Sequence, residues 1–302
     1  MSQDRGFVLL NALVLVAAMS AAAVFVVARS EAGRAKLAAA QTADQLERYL
    51  DAFESYAMAV LLADPPSVTS LGGDWEIDAR VLDVDRGEVS GSMTDVERKL
   101  NLNWLAAGNA PQQIAIFDRA LAGINARQQV IELVVEAMSP GVPSNRQAYL
   151  AFDPPRDPVG GLRTLPVELR GIAGLTNADM AKIDAIATLA PPDSGLNVNT
   201  APADTIAAFF PDLSKAQIGR VIASRDKEPF TSIEMFLQRV EAVQGTAVDE
   251  NLDITRLTVA GVWFEVRAVA SLDGYTARRT TLLERQLNGF LPRVIWRVTE
   301  FP

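Results

Sequence analysis

From Phe7 to Ala28 the chain carries no charge, and only Asn11 and Ser20 interrupt the apolar side chains. Roughly 20 apolar residues are what a helix needs to cross the hydrocarbon core of a bilayer. A secretory signal core is shorter, about 7–15 residues, and is followed by a small-residue cleavage site. Here a glycine, Gly6, precedes the apolar run behind the polar leader Met1–Arg5. Beyond Arg29 the pattern becomes amphipathic. Leu46, Leu50, Phe53, Ala57 and Val60 recur at steps of four and three, with Asp44, Glu47, Arg48, Asp51 and Glu54 on the other faces, the signature of a helix with one apolar stripe. Asp64-Pro65-Pro66 ends it, because proline cannot continue the hydrogen-bond ladder. One helix from Phe7 to Leu62 would be roughly 80 Å long at about 1.5 Å per residue. Half would lie in lipid and half would pack on a soluble domain.

Period-two alternation follows at both ends of the remaining sequence. Trp75, Ile77, Ala79 and Val81 read as a half-buried strand that turns at Arg86-Gly87-Glu88 toward Val89. Near the other end Val262, Phe264, Val266, Ala268 and Ala270 alternate, Asp273-Gly274 signals a hairpin, Thr276–Gln286 is the return strand and Val294–Thr299 a last one. Between these strands the spacing is helical: Gln112–Ala122, then Ala126–Met138 with Asn125 as its cap, then Ala178–Leu189. Capping boxes at Ser214–Gln217 and Thr231–Glu234 open two more helices, and proline- and glycine-rich Gly141–Gly161 reads as a surface loop. The expected fold class is α+β: a long N-terminal helix and a small α/β domain split by an inserted helical domain of roughly 150 residues, an ordinary domain size.

Composition narrows the chemistry. The 302 residues include no cysteine and no histidine, and the net charge is −9. Disulfides, thiolate nucleophiles, Cys- or His-based zinc sites and a Ser-His-Asp triad are therefore excluded. No pair of carboxylates stands out by spacing, so the expectation is a protein that is not an enzyme. The acidic balance disfavours nucleic acid, whose binding rests on Lys and Arg at the phosphates. Asp83 and Asp85, with Gly87 two residues on, do not follow an EF-hand's order and read as turn carboxylates. Asp226-Lys-Glu228 and Asp249-Glu250 read as solvated faces, and Trp75, Trp104, Trp263 and Trp296 as core or edge residues. Arg5 lies before the apolar run and Arg29, Arg34 and Lys36 after it, so a count of positive charge does not set the orientation.

The Arg5-Gly6-Phe7 junction resembles the leader of type IV prepilins and pseudopilins. Three further stretches, Thr94-Asp-Val-Glu-Arg-Lys-Leu-Asn-Leu-Asn-Trp-Leu105, Leu165-Pro-Val-Glu-Leu-Arg-Gly-Ile172 and Gly195-Leu-Asn-Val-Asn-Thr-Ala-Pro202, together with the order of domains, resemble the minor pseudopilin K family of the type II secretion system (general secretion pathway protein K). That resemblance implies a prepilin leader at 1–6, cut after Gly6 by the prepilin peptidase, and an N-methylated Phe7. It implies an N-terminal helix at 7–64 with 7–28 in the inner membrane and the soluble part in the periplasm. Pilin-like strands would occupy 65–100 and 255–302, around a SAM-like, helix-hairpin-helix-like insertion at 101–254 whose two halves meet near 195. It further implies a place at the tip of a short filament, nucleating or capping it for export of folded proteins. The minor pseudopilins I and J, other pseudopilins and the inner-membrane assembly platform would be partners, with Leu46, Leu50, Phe53 and Val60 as the partner-binding helix face. Asn11 would fall at the fifth mature position, where major pilins carry a glutamate; a tip subunit has no neighbour above it to neutralise that charge, and an unpaired charge in lipid is costly.

The family often binds calcium in the helical domain. The matching stretch here, Glu136–Tyr149, lacks most of the acids, leaving Asp153 and Asp157 as oxygen donors for an ion that takes about 6–8; the expectation is no cofactor. Leu196–Pro202 through Phe230–Phe236 also resembles the helix-hairpin-helix of DNA-uptake proteins, so the alternative is a minor pilin of a type IV pilus or of a DNA-uptake system. The hairpin at Phe210–Ser214 has no glycine, however, and puts Asp212 where a phosphate would sit. Gly195–Leu252 holds five basic and eight acidic residues.

Overall fold

The computed structural model describes residues 3–107, 110–286 and 289–301, with side chains from Leu13 onward. The first helix, α1, runs unbroken over Gln3–Ala63, roughly 90 Å at about 1.5 Å per residue. It stops where the sequence demands, two residues before Pro65. From Leu13 to Gln41 every side chain is exposed, so the rod stands clear of the rest of the molecule over those 29 of its 61 residues.

The second part of α1 lies on a five-stranded antiparallel sheet. We number its strands β1 (Ile77–Leu82), β2 (Glu88–Asp95), β3 (Trp263–Leu272), β4 (Tyr275–Glu284) and β5 (Arg293–Glu300); their spatial order is their chain order. The β3–β4 turn has positive φ at both central residues, Asp273 (51°) and Gly274 (82°), the type I′ geometry that matches strand twist. Leu46, Leu50, Phe53, Ala57 and Leu61 pack against Val89, Met93, Phe264, Val266 and Ala268. Gly91 makes this closeness possible, since a Cβ there would lie 2.7 Å from the Phe53 ring. Over β4 and β5 the contact turns ionic: Arg279 pairs with Asp51, and the buried Glu54 takes Arg297 and Thr281.

The alternation expected across Trp75–Val81 holds only halfway. Trp75 and Ile77 are buried, but Ala79 and Val81 face solvent. The register shifts between Ile77 and Arg80, with Ala79 at φ 47°; a bulge of this kind re-aims every later side chain.

The chain leaves the sheet after β2 and returns as β3, β2's neighbour, with Asp95 opposite Phe264. The main elements between are helices: α2 (Pro111–Gly123), α3 (Gln129–Met138), α4 (Arg146–Leu150), α5 (Asn177–Ile186), α6 (Ala203–Phe209), α7 (Lys215–Arg225) and α8 (Ile233–Gln244). Their apolar faces form one core around Trp104, whose ring meets Phe117 and Phe209 edge-on at 6.4 and 6.1 Å. Several boundaries differ from the expectation. Asn125 does not cap α3; it sits at φ 54° in the turn, and the helix starts at Gln129 without a side-chain cap. The third expected helix ends at Ile186, where Ala187–Thr188 straightens to pair with Leu100–Asn101. α8 is capped by Ser232 rather than Thr231, and the Gly141–Gly161 loop contains α4.

Candidate functional site

Two features distinguish the molecule from an ordinary soluble domain: the bare apolar rod and the joint by which the insertion hangs on the sheet. Leu13–Ala63 contains the one stretch, among the described residues, long and apolar enough to cross a membrane. Gly6, Phe7 and Asn11 lie on the helical backbone of α1, but their side chains fall outside the described residues. The stripe expected to meet partners packs within the chain itself. Leu46, Leu50 and Phe53 are at most 1% exposed, because the inner face of the sheet needs an apolar cover and α1 supplies it. Val60 is half-buried against the same core. What these residues hold is the chain's own sheet; the surface of α1 free for other molecules is Leu13–Gln41 and the outer face at Glu47, Arg48, Asp51 and Ser55.

The joint is a buried polar seam, assembled from the Thr94–Leu105 and Gly195–Pro202 stretches. Asp95, at the end of β2, accepts from Asn197 Nδ2 (2.8 Å), Thr200 Oγ1 (2.6 Å) and the Glu97 N–H. Glu97 accepts from the backbone N–H groups of Gly195 (3.2 Å), Val262 (2.5 Å) and Trp263 (3.3 Å). Arg285, just past β4, donates to Asp64 (2.7 Å) and Thr69 (3.0 Å) and lies 4.7 Å over the Phe264 ring. Burial raises the Asp64 carboxyl against the pull of Arg285, and raises Asp95. Burial and the neighbouring Asp95 push Glu97 up to about 8, against the three N–H groups it accepts from.

The sequence carries a signal for this seam that periodicity misses. Asn-X-Asn occurs twice behind a leucine, at Leu100–Asn103 and Leu196–Asn199, and both copies are built alike. In each, the first asparagine accepts from the N–H two residues on, and the second grips one distant residue by both backbone groups: Asn103 holds Arg163, Asn199 holds Phe230. Each leucine-asparagine pair also forms a short parallel bridge, to Ala187–Thr188 and to Leu257–Thr258. The seam thus joins two similarly organised halves to one sheet. The Leu165–Ile172 stretch lies just past Arg163, as a 3-10 turn over Pro166–Gly171.

The metal and phosphate candidates are not assembled for those ligands. Asp153 and Asp157 are both exposed, Asp157 is paired with Arg146 at 2.8 Å, and Glu136 is taken by Ser144 and Asn145. Among the described residues no group of three acidic side chains is placed to hold a metal ion. At the Phe210–Ser214 hairpin, the α7 N-terminus is occupied by its own box: Gln217 N–H donates to Ser214 Oγ and Ser214 N–H to Gln217 Oε1. Two of the N–H groups at this helix start are thus engaged within the chain, and Asp212 is exposed beside them.

A helix half bare and apolar, half packed on an antiparallel sheet, is the design of a pilin-like subunit, here enlarged by a helical insertion. The comparisons make the class specific. The family model for type II secretion system protein K matches residues 196–255, the second half of the insertion. A type II secretion system protein K from Klebsiella pneumoniae is 26% identical over 269 residues, covering 78% of this chain and 80% of that one. A chain in the crystal structure of the GspK-GspI-GspJ complex from the enterotoxigenic Escherichia coli type 2 secretion system shares the fold. Its TM-score is 0.71 at 16% identity, covering 88% of this chain and all of that one. The resemblance carried by the sequence stretches holds: the family model, the curated relative and the solved structure all point to type II secretion system protein K.

Proposed function

We propose that this chain is the tip subunit of a type II secretion pseudopilus, nucleating or capping the filament that drives folded proteins out of the periplasm. Prepilin peptidase removes residues 1–6 after Gly6, Phe7 becomes the methylated amino terminus, and Phe7–Ala28 anchors the subunit in the inner membrane with the sheet and insertion in the periplasm. Asn11 stands at the fifth mature position, where a tip subunit needs no carboxylate. Minor pseudopilins I and J are its immediate partners, followed by other pseudopilins and the assembly platform. Its role is assembly, not catalysis, and it uses neither calcium nor nucleic acid. The observation that supports this most is that α1 spends its apolar stripe on its own sheet and leaves Leu13–Gln41 bare: the rod is free to enter a bundle of like rods.

Co-expression of the full chain with I and J pseudopilins, followed by affinity capture, tests the reading. A stable heteromer whose K-type subunit begins at Phe7 is expected. Recovery of a lone monomer, or of a mature chain with another amino terminus, would refute it.

A further inference from the structure

We propose that Arg29, Arg34 and Lys36 form a cationic collar that holds the phosphates of anionic phospholipids where the rod leaves the bilayer. The inference rests on the reading that Phe7–Ala28 spans the inner membrane. That segment covers roughly 33 Å at about 1.5 Å per residue, close to the roughly 30 Å of a hydrocarbon core, so Arg29 stands at its edge. Because α1 is unbroken over Gln3–Ala63, Arg34 and Lys36 lie about 8 and 11 Å further along the same axis. Helical side chains lean toward the N-terminus, here back toward the membrane, and long basic side chains carry their charge to the headgroup level.

Charge and placement both select lipid. The chain carries −9 overall, yet Arg29–Ala43 holds three basic residues and a single acid, Glu31. All three bases are exposed. Among the described residues none of them has an ion pair, whereas arginines in the soluble part are matched even at the surface, as Arg86 is with Asp273 and Arg293 with Glu284. At about 100° per residue, Arg29 and Lys36 fall about 20° apart, while Arg34 lies about 140–160° from both. A neighbouring rod in a bundle meets one side of α1; a headgroup layer surrounds it. Positive charges on opposite sides, confined to two turns next to the apolar run, fit the layer. With the leader removed Arg5 is lost too, so these bases stand on the side that positive charge ordinarily avoids. Headgroup phosphates give them partners there.

The chain has no cysteine, so Gly33→Cys offers a single site for a nitroxide, and nothing lies within 4 Å of a Cβ there. The labelled full chain is placed in vesicles of phosphatidylcholine and phosphatidylglycerol in equal parts, and their phosphorus resonances are read separately by magic-angle-spinning NMR. The nitroxide broadens the phosphorus nuclei near it. Each base close to an anionic surface favours the anionic lipid about fivefold, so phosphatidylglycerol should be broadened several-fold more than phosphatidylcholine. The excess should shrink at about 1 M salt, where screening leaves a range of about 3 Å, and vanish when Arg29→Gln, Arg34→Gln and Lys36→Gln are combined. A second sample labelled at Val24→Cys reports, by oxygen accessibility, whether the span lies in hydrocarbon. If it does and the two lipids broaden alike, or the excess survives the triple substitution, the collar is refuted while the anchor stands. If Val24 lies in water, the anchor reading fails and the collar falls with it. No lipid preference, together with loss of capture by I and J pseudopilins in the triple variant, would overturn the collar by assigning the bases to partner rods.

Discussion

Removing one asparagine from the joint should unfasten half of the insertion. Asn199 is 1% exposed; its Oδ1 accepts the Phe230 N–H at 2.9 Å and its Nδ2 donates to the Phe230 carbonyl at 2.9 Å. Asn199→Ala strips both partners from a residue only 2% exposed. Leaving a buried backbone group unsatisfied costs about 1–3 kcal/mol, so losing both places the effect at roughly 2–6 kcal/mol. Against a whole-domain stability of about 5–15 kcal/mol, this is a large fraction. Urea unfolding of the full chain in micelles, followed by tryptophan fluorescence, includes the insertion core in its signal, because Trp104 and Phe230 lie in one cluster. The midpoint should fall with little change in slope. Asn199→Asp should be at least as damaging, since it keeps the acceptor but sets a buried charge against the carbonyl oxygens of Phe230 and Val259. A loss below about 1 kcal/mol for Asn199→Ala, less than one orphaned group costs, would refute the idea that this clamp holds the second half together.

Three further outcomes can be checked by unfolding. Gly91→Ala should destabilise the sheet by about 1–3 kcal/mol through overpacking, since the new Cβ falls 2.3 Å from the Arg267 carbonyl and 2.7 Å from the Phe53 ring; thermal melts of Gly91→Ala with and without Phe53→Leu should show partial recovery in the double variant. Asp64→Asn leaves Arg285, 3% exposed, without its counterion and should cost about 3–5 kcal/mol, whereas Asp64→Asn combined with Arg285→Met should cost less, measured by denaturant midpoint. The Arg127 hydrogen bond holds the Asp179 carboxyl well below the usual carboxylate range. Its contribution is therefore present above the unfolded value of about 3.9 and lost as pH falls below it, so acid titration of the insertion should show a slope there that Asp179→Asn removes.

The sequence discloses local geometry well and ownership poorly. The stripe at Leu46, Leu50 and Phe53 is visible from its spacing, yet spacing cannot say which surface will cover it, and the cover turns out to be the chain's own sheet. Turn chemistry is equally legible at Asp273-Gly274 and at the Ser214 box, because in each the residues that make the interaction are neighbours in sequence. Ala79 defeats the alternation rule because its bulge is imposed by pairing with β2, which the residues around it do not encode. The seam is the least legible part: Asn197 meets Asp95, and Asn199 meets Phe230, only after the insertion has folded. The doubled Asn-X-Asn was available as a clue, but only to a search for repeated polar pairs rather than for apolar period.

The insertion departs from β2 at Asp95 and rejoins at β3 opposite it, so both of its attachments sit on adjacent rungs of one ladder. A load carried along α1 enters the sheet through the Phe53 packing and the Asp51 and Glu54 ion pairs, and never has to traverse the helical excursion. The larger part of the soluble mass therefore rides as a pendant, outside the mechanical path from the rod to the sheet. Its sequence is free to change for whatever it touches without weakening the strut beneath it.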